Sequence, residues 1–216
     1  MAFQFTANTR TTSGREKWVF TATDADGKKK ERSFTLVLRN SDSIRVAAYH
    51  RYTVILPAPT TPNSRSSISL LSGLTLPPTA LRRRAENQEL IDLAYLPLVN
   101  GERALASPND PELIRTNSLF RMANWSKSRT TLMRITDLDS AGFVSAGTAQ
   151  AFEDAFNRGR ATVNQFRSDP LVARGTGNRV LAFQTSDSPA RYGLIFIQSF
   201  LTAPTPAIKM QVRITK

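Results

Sequence analysis

The chain has 216 residues, no cysteine, a formal net charge of +12 and a pI near 10.8. The length suits one large domain or two small ones. The lack of cysteine excludes disulfides and thiolate metal sites, and the basic balance predicts a polyanionic partner, most often nucleic acid. The charge is unevenly spread: residues 1–57 and 171–216 each carry a net +5, 58–110 are neutral and 111–170 carry +2. No apolar run reaches the roughly 18–20 residues of a membrane helix, and the N-terminus lacks the apolar core of a signal peptide. The expectation is a protein without a membrane partner, made in a cytoplasm.

Residues 1–16 read as a polar arm in which Phe3 and Phe5 alternate. Residues 17–57 read as a meander of three antiparallel strands, apolar on one face and basic on the other. Trp18, Phe20 and Ala22 alternate with Val19, Thr21 and Thr23, the period of a strand. Asp24-Ala25-Asp26-Gly27 predicts a turn, closed by a glycine at positive φ. Phe34, Leu36 and Leu38 continue the apolar face, and Asn40-Ser41-Asp42-Ser43 predicts a second turn. In the third run His50, Tyr52, Val54 and Leu56 lie on one side. Arg45, Tyr49 and Arg51 lie on the other, until Pro57 ends the strand.

Residues 58–170 read as a mixed helical and loop region. Ser67–Leu76 is an ambiguous apolar run. Pro78 opens a predicted helix from Thr79 to about Leu96, on which Arg82, Arg83 and Arg84 are partly neutralised by Glu86 and Glu89. Residues 97–111 read as loop. Asp110 as N-cap and Pro111 at the first helical position predict a helix to about Met122. Trp125 reads first as a core anchor and second as a base-stacking residue. Thr130–Thr136 reads as a strand. Phe152, Phe156, Val163 and Phe166 give one apolar face to a helix from Gly147 to about Phe166, interrupted by Gly159. Three strands finish the chain: Val180–Gln184, Tyr192–Leu201 and Ala207–Thr215. The middle one is apolar on both sides, as in a strand covered twice. In the last, Ile208, Met210, Val212 and Ile214 face inward, and Lys209 and Arg213 face outward.

No catalytic residues, no metal site and no cofactor are expected from the sequence. His50 is the single histidine and reads as structural. Asp137-Leu138-Asp139-Ser140-Ala141-Gly142 has the start of a calcium loop, but Thr148 stands where the bidentate Glu belongs. Residues 174–179, RGTGNR, lack the spacing of a phosphate loop.

These readings make one α+β domain over residues 1–216. An antiparallel sheet of N- and C-terminal strands packs on the 147–166 helix, and a jelly-roll sandwich with helical insertions is the alternative. The function expected is structural and non-enzymatic: a viral or phage coat protein that self-assembles and coats nucleic acid, RNA favoured over DNA. It would reside in the virion, or in the cytoplasm if the protein is not viral. The alternative is a single-stranded nucleic-acid-binding module or regulator. A third reading is an enzyme or scaffold with incidental charge. The candidate nucleic-acid contacts are Lys28, Lys29, Lys30, Arg32, Arg45, Tyr49, Arg51, Lys209 and Arg213. If both chain ends share one sheet, Arg45, Arg51, Lys209 and Arg213 fall on one side of it.

Overall fold

The computed structural model describes residues 14–38, 49–97, 103–111, 118–121, 124–162, 165–168, 180–202 and 204–216. The fold is mostly antiparallel β-sheet with short helices. Its strands are β1 (Gly14–Thr23), β2 (Lys29–Leu38), β3 (Tyr49–Pro57), β4 (Ser67–Ile68), β5 (Thr75–Leu76), β6 (Leu93–Pro97), β7 (Arg103–Ala106), β8 (Thr131–Ile135), β9 (Arg160–Ala161), β10 (Val180–Thr185), β11 (Tyr192–Leu201) and β12 (Ala207–Thr215). The helices are α1 (Pro78–Arg83), α2 (Ala85–Gln88), α3 (Ser140–Ser145) and α4 (Ala149–Arg158). The chain divides into two compact units, Phe3–Ala47 and Ala48–Lys216 with Met1–Ala2.

The first unit holds a hairpin of β1 and β2. Its turn follows from its residues. The Asp24 carboxylate accepts the N–H groups of Asp26 (3.0 Å) and Lys28 (2.8 Å), and Gly27 sits at φ +77°. That φ is open to glycine at little steric cost. The predicted meander stops at two strands, because the third, β3, pairs with β12 instead. Its Tyr52, Val54 and Leu56 find apolar partners in Val212, Met210 and Ile208. Burial against the C-terminal strands overrides closeness in sequence.

The second unit is built on two sheets. The larger has strand order β3-β12-β11-β10-β8-β9, the smaller β5-β4-β6-β7. One face of the large sheet carries Leu56, Met133, Phe183, Ile195, Met210 and Val212, which pack with Ile68, Leu70, Leu93, Tyr95 and Leu105 of the small-sheet segment. The opposite face carries Val180, Ala182 and Leu194, which pack with Phe143 of α3 and with Phe152 and Phe156 of α4. β11 is thus covered twice and apolar on both sides. Gly193 within it is required by space: a Cβ there would lie 2.2 Å from Phe183 Cζ and 2.3 Å from the Arg213 carbonyl. The other side of the small sheet buries Ile91, Ala94, Leu96, Leu81 and Phe120.

Several predicted elements are corrected. The ambiguous run 67–76 forms the β4–β5 hairpin, with Gly73 at φ +70°. The helix predicted over 79–96 ends at Arg83, is followed by the single turn of α2, and gives way to β6. Arg84 is extended (φ −145°, ψ 124°), and Leu93–Leu96 are buried on both sides, which a strand between two apolar layers satisfies. Part of the loop expected at 97–111 is β7, paired with β6. Most of the helix expected from Asp110 to Met122 lies outside the described residues. Asp110 itself is buried and receives two hydrogen bonds of 2.9 Å from Arg167. The helix expected over 147–166 is α4, capped by the Thr148 hydroxyl, which accepts from Ala151 N–H, and stopped at Gly159. A Cβ at Gly159 would lie 2.8 Å from Arg134 Cβ, so the close approach of β8 explains the glycine. The calcium-like Asp139 is the N-cap of α3, accepting from Gly142 N–H at 2.7 Å.

Candidate nucleic-acid interface

Four candidate residues lie on the hairpin. Lys28 sits in the turn, Lys29, Lys30 and Arg32 sit on β2, and all four are exposed. The register sets Trp18 opposite Phe34, Phe20 opposite Arg32 and Ala22 opposite Lys30. Side chains alternate along a strand, so Lys30, Arg32 and Phe34 share a face with Trp18 and Phe20. The expected separation into an apolar and a basic face is therefore corrected: the basic run straddles both faces, and two of its cations flank the aromatics. The rings of Trp18, Phe20 and Phe34 lie nearly parallel, with centroids 5.5–6.5 Å apart. Phe34 is 45% exposed. On the other face the Thr21 hydroxyl donates to Glu31 at 3.2 Å.

The remaining candidates belong to the β3–β12 pair, except Arg45, which lies outside the described residues. The register places Arg51 opposite Arg213, Lys209 opposite Ile55 and Tyr49 opposite Thr215. Arg51, Lys209 and Arg213 thus share one side of one sheet. They differ in what they can reach. Arg51 is exposed and Lys209 half-buried. Arg213 is only 4% exposed and is taken up within the fold. Its guanidinium donates to the carbonyls of Val144 (3.1 Å) and Ala146 (2.5 Å) at the end of α3. It also lies 4.6 Å from the Phe143 ring centroid and 5.5 Å from that of Tyr49. Tyr49 in turn meets Phe152 edge-on at 5.2 Å. Arg213 and Tyr49 dock helices, and the basic patch left open on this sheet consists of the exposed Arg51 and the half-buried Lys209.

The structure also gathers charged groups that the sequence does not bring together. Asp92, 1% exposed, accepts the Leu70 N–H at 2.7 Å and lies 2.9 Å from Arg129 Nε. That contact has ion-pair distance but poor hydrogen-bond alignment. Arg129 also pairs with Asp187, which Arg191 approaches at 3.6 Å. Burial pushes the Asp92 carboxyl up to about 6, against the Arg129 charge and the Leu70 N–H. Tyr52, whose hydroxyl donates to the Leu70 carbonyl at 2.6 Å, is raised by burial and then by the Asp92 charge. Partners 37 and 58 residues apart leave no signal in local sequence.

His50 shares the side of Tyr52 and Val54 but is exposed at the start of its strand. Partial burial, then Lys216 and Arg191, hold its pKa below the usual imidazole value. Trp125 is half-buried against Phe120 and its neighbours, and its indole N–H donates to the Phe120 carbonyl at 3.1 Å. Among the described residues no group of three or more His, Asp or Glu is placed to hold a metal ion. Nor is any described helix long and apolar enough to cross a membrane. Comparison with known proteins finds no matching family model, curated protein or solved structure.

Proposed function

We propose that this chain is the coat protein of a virus or phage, a self-assembling subunit that neutralises nucleic-acid phosphates with folded basic faces. The observation that carries the reading is the cluster of exposed cations Lys28, Lys29, Lys30 and Arg32 on an ordered hairpin, in a chain of net charge +12. Arg51 and Lys209 add a second basic patch on the large sheet. In this reading the chain is an α+β subunit: β3 and the C-terminal strands form its floor, backed by α4. Its partners are nucleic acid, RNA over DNA, and further copies of itself. Its place is the virion, and its role is not enzymatic.

One observation favours a second reading, a single-strand-binding module. Lys30 and Arg32 share a hairpin face with Trp18, Phe20 and Phe34, and cations beside aromatic rings suit unstacked bases. Binding to single-stranded RNA and to duplex DNA at stepped salt separates the readings. A coat that reads phosphate weakens steeply with salt and depends little on base sequence. Replacing Lys30 and Arg32 by Gln is expected to lower the log–log salt slope by about two. Affinity that does not change with salt would contradict both readings. A strong single-strand preference, lost in Phe34→Ala and without assembly, would favour the second.

A further inference from the structure

β3 forms one edge of the six-stranded sheet. It pairs with β12 without a register shift, from Pro57 opposite Ala207 to Tyr49 opposite Thr215. The bond from Ala58 N–H to the Pro206 carbonyl, 2.7 Å, fixes the phase of this ladder. In an antiparallel pair, residues that exchange hydrogen bonds alternate with residues that do not. Positions 50, 52, 54 and 56 therefore turn their main-chain groups toward β12. Tyr49, Arg51, Thr53 and Ile55 turn theirs outward. Among the described residues, no group bonds to these outward N–H and C=O groups.

Sheet edges are commonly blunted by lysine, proline or a bulge. β3 carries no lysine and no bulge, and its one proline is its last residue. Arg51, Thr53 and Ile55 are exposed, Ile55 at 51%.

We propose that β3 pairs with β3 of a second copy of this chain, antiparallel, about a two-fold axis through Thr53. The inference rests on the self-assembly part of the coat reading and names the surface that performs it. The ladder phase permits this register. Thr53 meets Thr53, Arg51 meets Ile55, and the Tyr49 N–H meets the Pro57 carbonyl. Every outward N–H from Tyr49 to Ile55 then finds an acceptor. Axes on positions 52 and 54 also bring outward groups together, but only the axis on 53 sets Arg51 opposite Ile55.

The side chains suit a second copy. The aliphatic stem of Arg51 lies opposite the exposed Ile55 and covers it, on both copies. The two Arg51 residues stand four positions out of step, about 14 Å apart along the strand at roughly 3.4 Å per residue. That exceeds the screening length of about 8 Å at physiological salt, so their repulsion is small. Such a two-fold axis stands perpendicular to the sheet. Arg51 and Lys209 of both copies therefore share one surface, which doubles the exposed basic patch.

The absence of cysteine makes the register readable by disulfide trapping. Opposite residues of a hydrogen-bonded antiparallel pair have Cα atoms about 5.5 Å apart, within reach of a disulfide. In the full chain, Thr53→Cys is expected to crosslink to itself under mild oxidation. Arg51→Cys is expected to crosslink only when mixed with Ile55→Cys. Thr53→Pro removes an N–H that faces away from β12; it is expected to abolish the dimer in sedimentation and to unfold at the midpoint that the wild-type chain shows when diluted to monomer. Particles or dimers that form without Thr53→Cys crosslinking would overturn this inference and leave the coat reading standing. Self-crosslinking of Arg51→Cys would overturn the Thr53 axis. A wild-type chain that stays monomeric at every concentration would overturn both the edge pairing and the coat reading, and would leave the edge to a strand of another protein.

Discussion

Asp92 shows how burial at one residue sets a pH dependence. Its carboxyl is held at about 6, above its ordinary 3.8, because loss of water outweighs Arg129 and the Leu70 N–H. The folded state therefore binds the proton more tightly than the unfolded chain. This contribution to stability is present at low pH and is lost as pH rises from about 4 through about 6. Asp92→Asn lacks the titration and keeps an oxygen for the Leu70 N–H. Wild-type stability relative to this variant is expected to fall across that window by on the order of 1–3 kcal/mol, and then to level off. Urea unfolding at stepped pH measures it. A relative stability that rises across the window would mean that the Arg129 charge outweighs burial. None of this is legible in sequence, where Asp92 is one carboxylate among many. The face shared by Arg32 and Phe34 follows from their spacing of two, which the expected split into an apolar and a basic face ran against.

At the scale of elements, Arg213 joins the end of α3 to β12. Two main-chain carbonyls accept from it, and the rings of Phe143 and Tyr49 lie beside it. Arg213→Ala leaves both carbonyls without this donor and opens space between the rings. The expected loss is about 2–4 kcal/mol in chemical unfolding, with nucleic-acid affinity changed little. A stable variant with weakened binding would instead return Arg213 to the phosphate surface. The strands were legible where a period of two was long, as in β1, β2 and β12, and β11 was legible as an apolar run on both sides. The helix over 79–96 was misread because Leu90, Ile91 and Ala94 supply an apolar stripe. The two-sided burial that makes Leu93–Pro97 a strand comes from distant partners. α4 was overextended by Val163 and Phe166, which continue its spacing beyond the point where β8 lies against Gly159.

For the whole molecule, the antiparallel, β-rich class followed from short alternating runs separated by proline- and glycine-bearing turns. The division into a hairpin unit and a two-sheet unit did not. It depends on β3 choosing β12 over β2, and that choice is made by a buried face assembled from residues more than 150 positions apart. In the proposed coat reading, the exposed basic hairpin would meet phosphate together with the Arg51 and Lys209 patch, and the edge of β3, unpaired among the described residues, would join copies. The size and nucleic-acid content of the purified protein, by light scattering with the 260/280 nm absorbance ratio, decide between coat and non-coat. Large uniform particles that carry nucleic acid are the expected result. A small species with no affinity for nucleic acid, even at low salt, would contradict it.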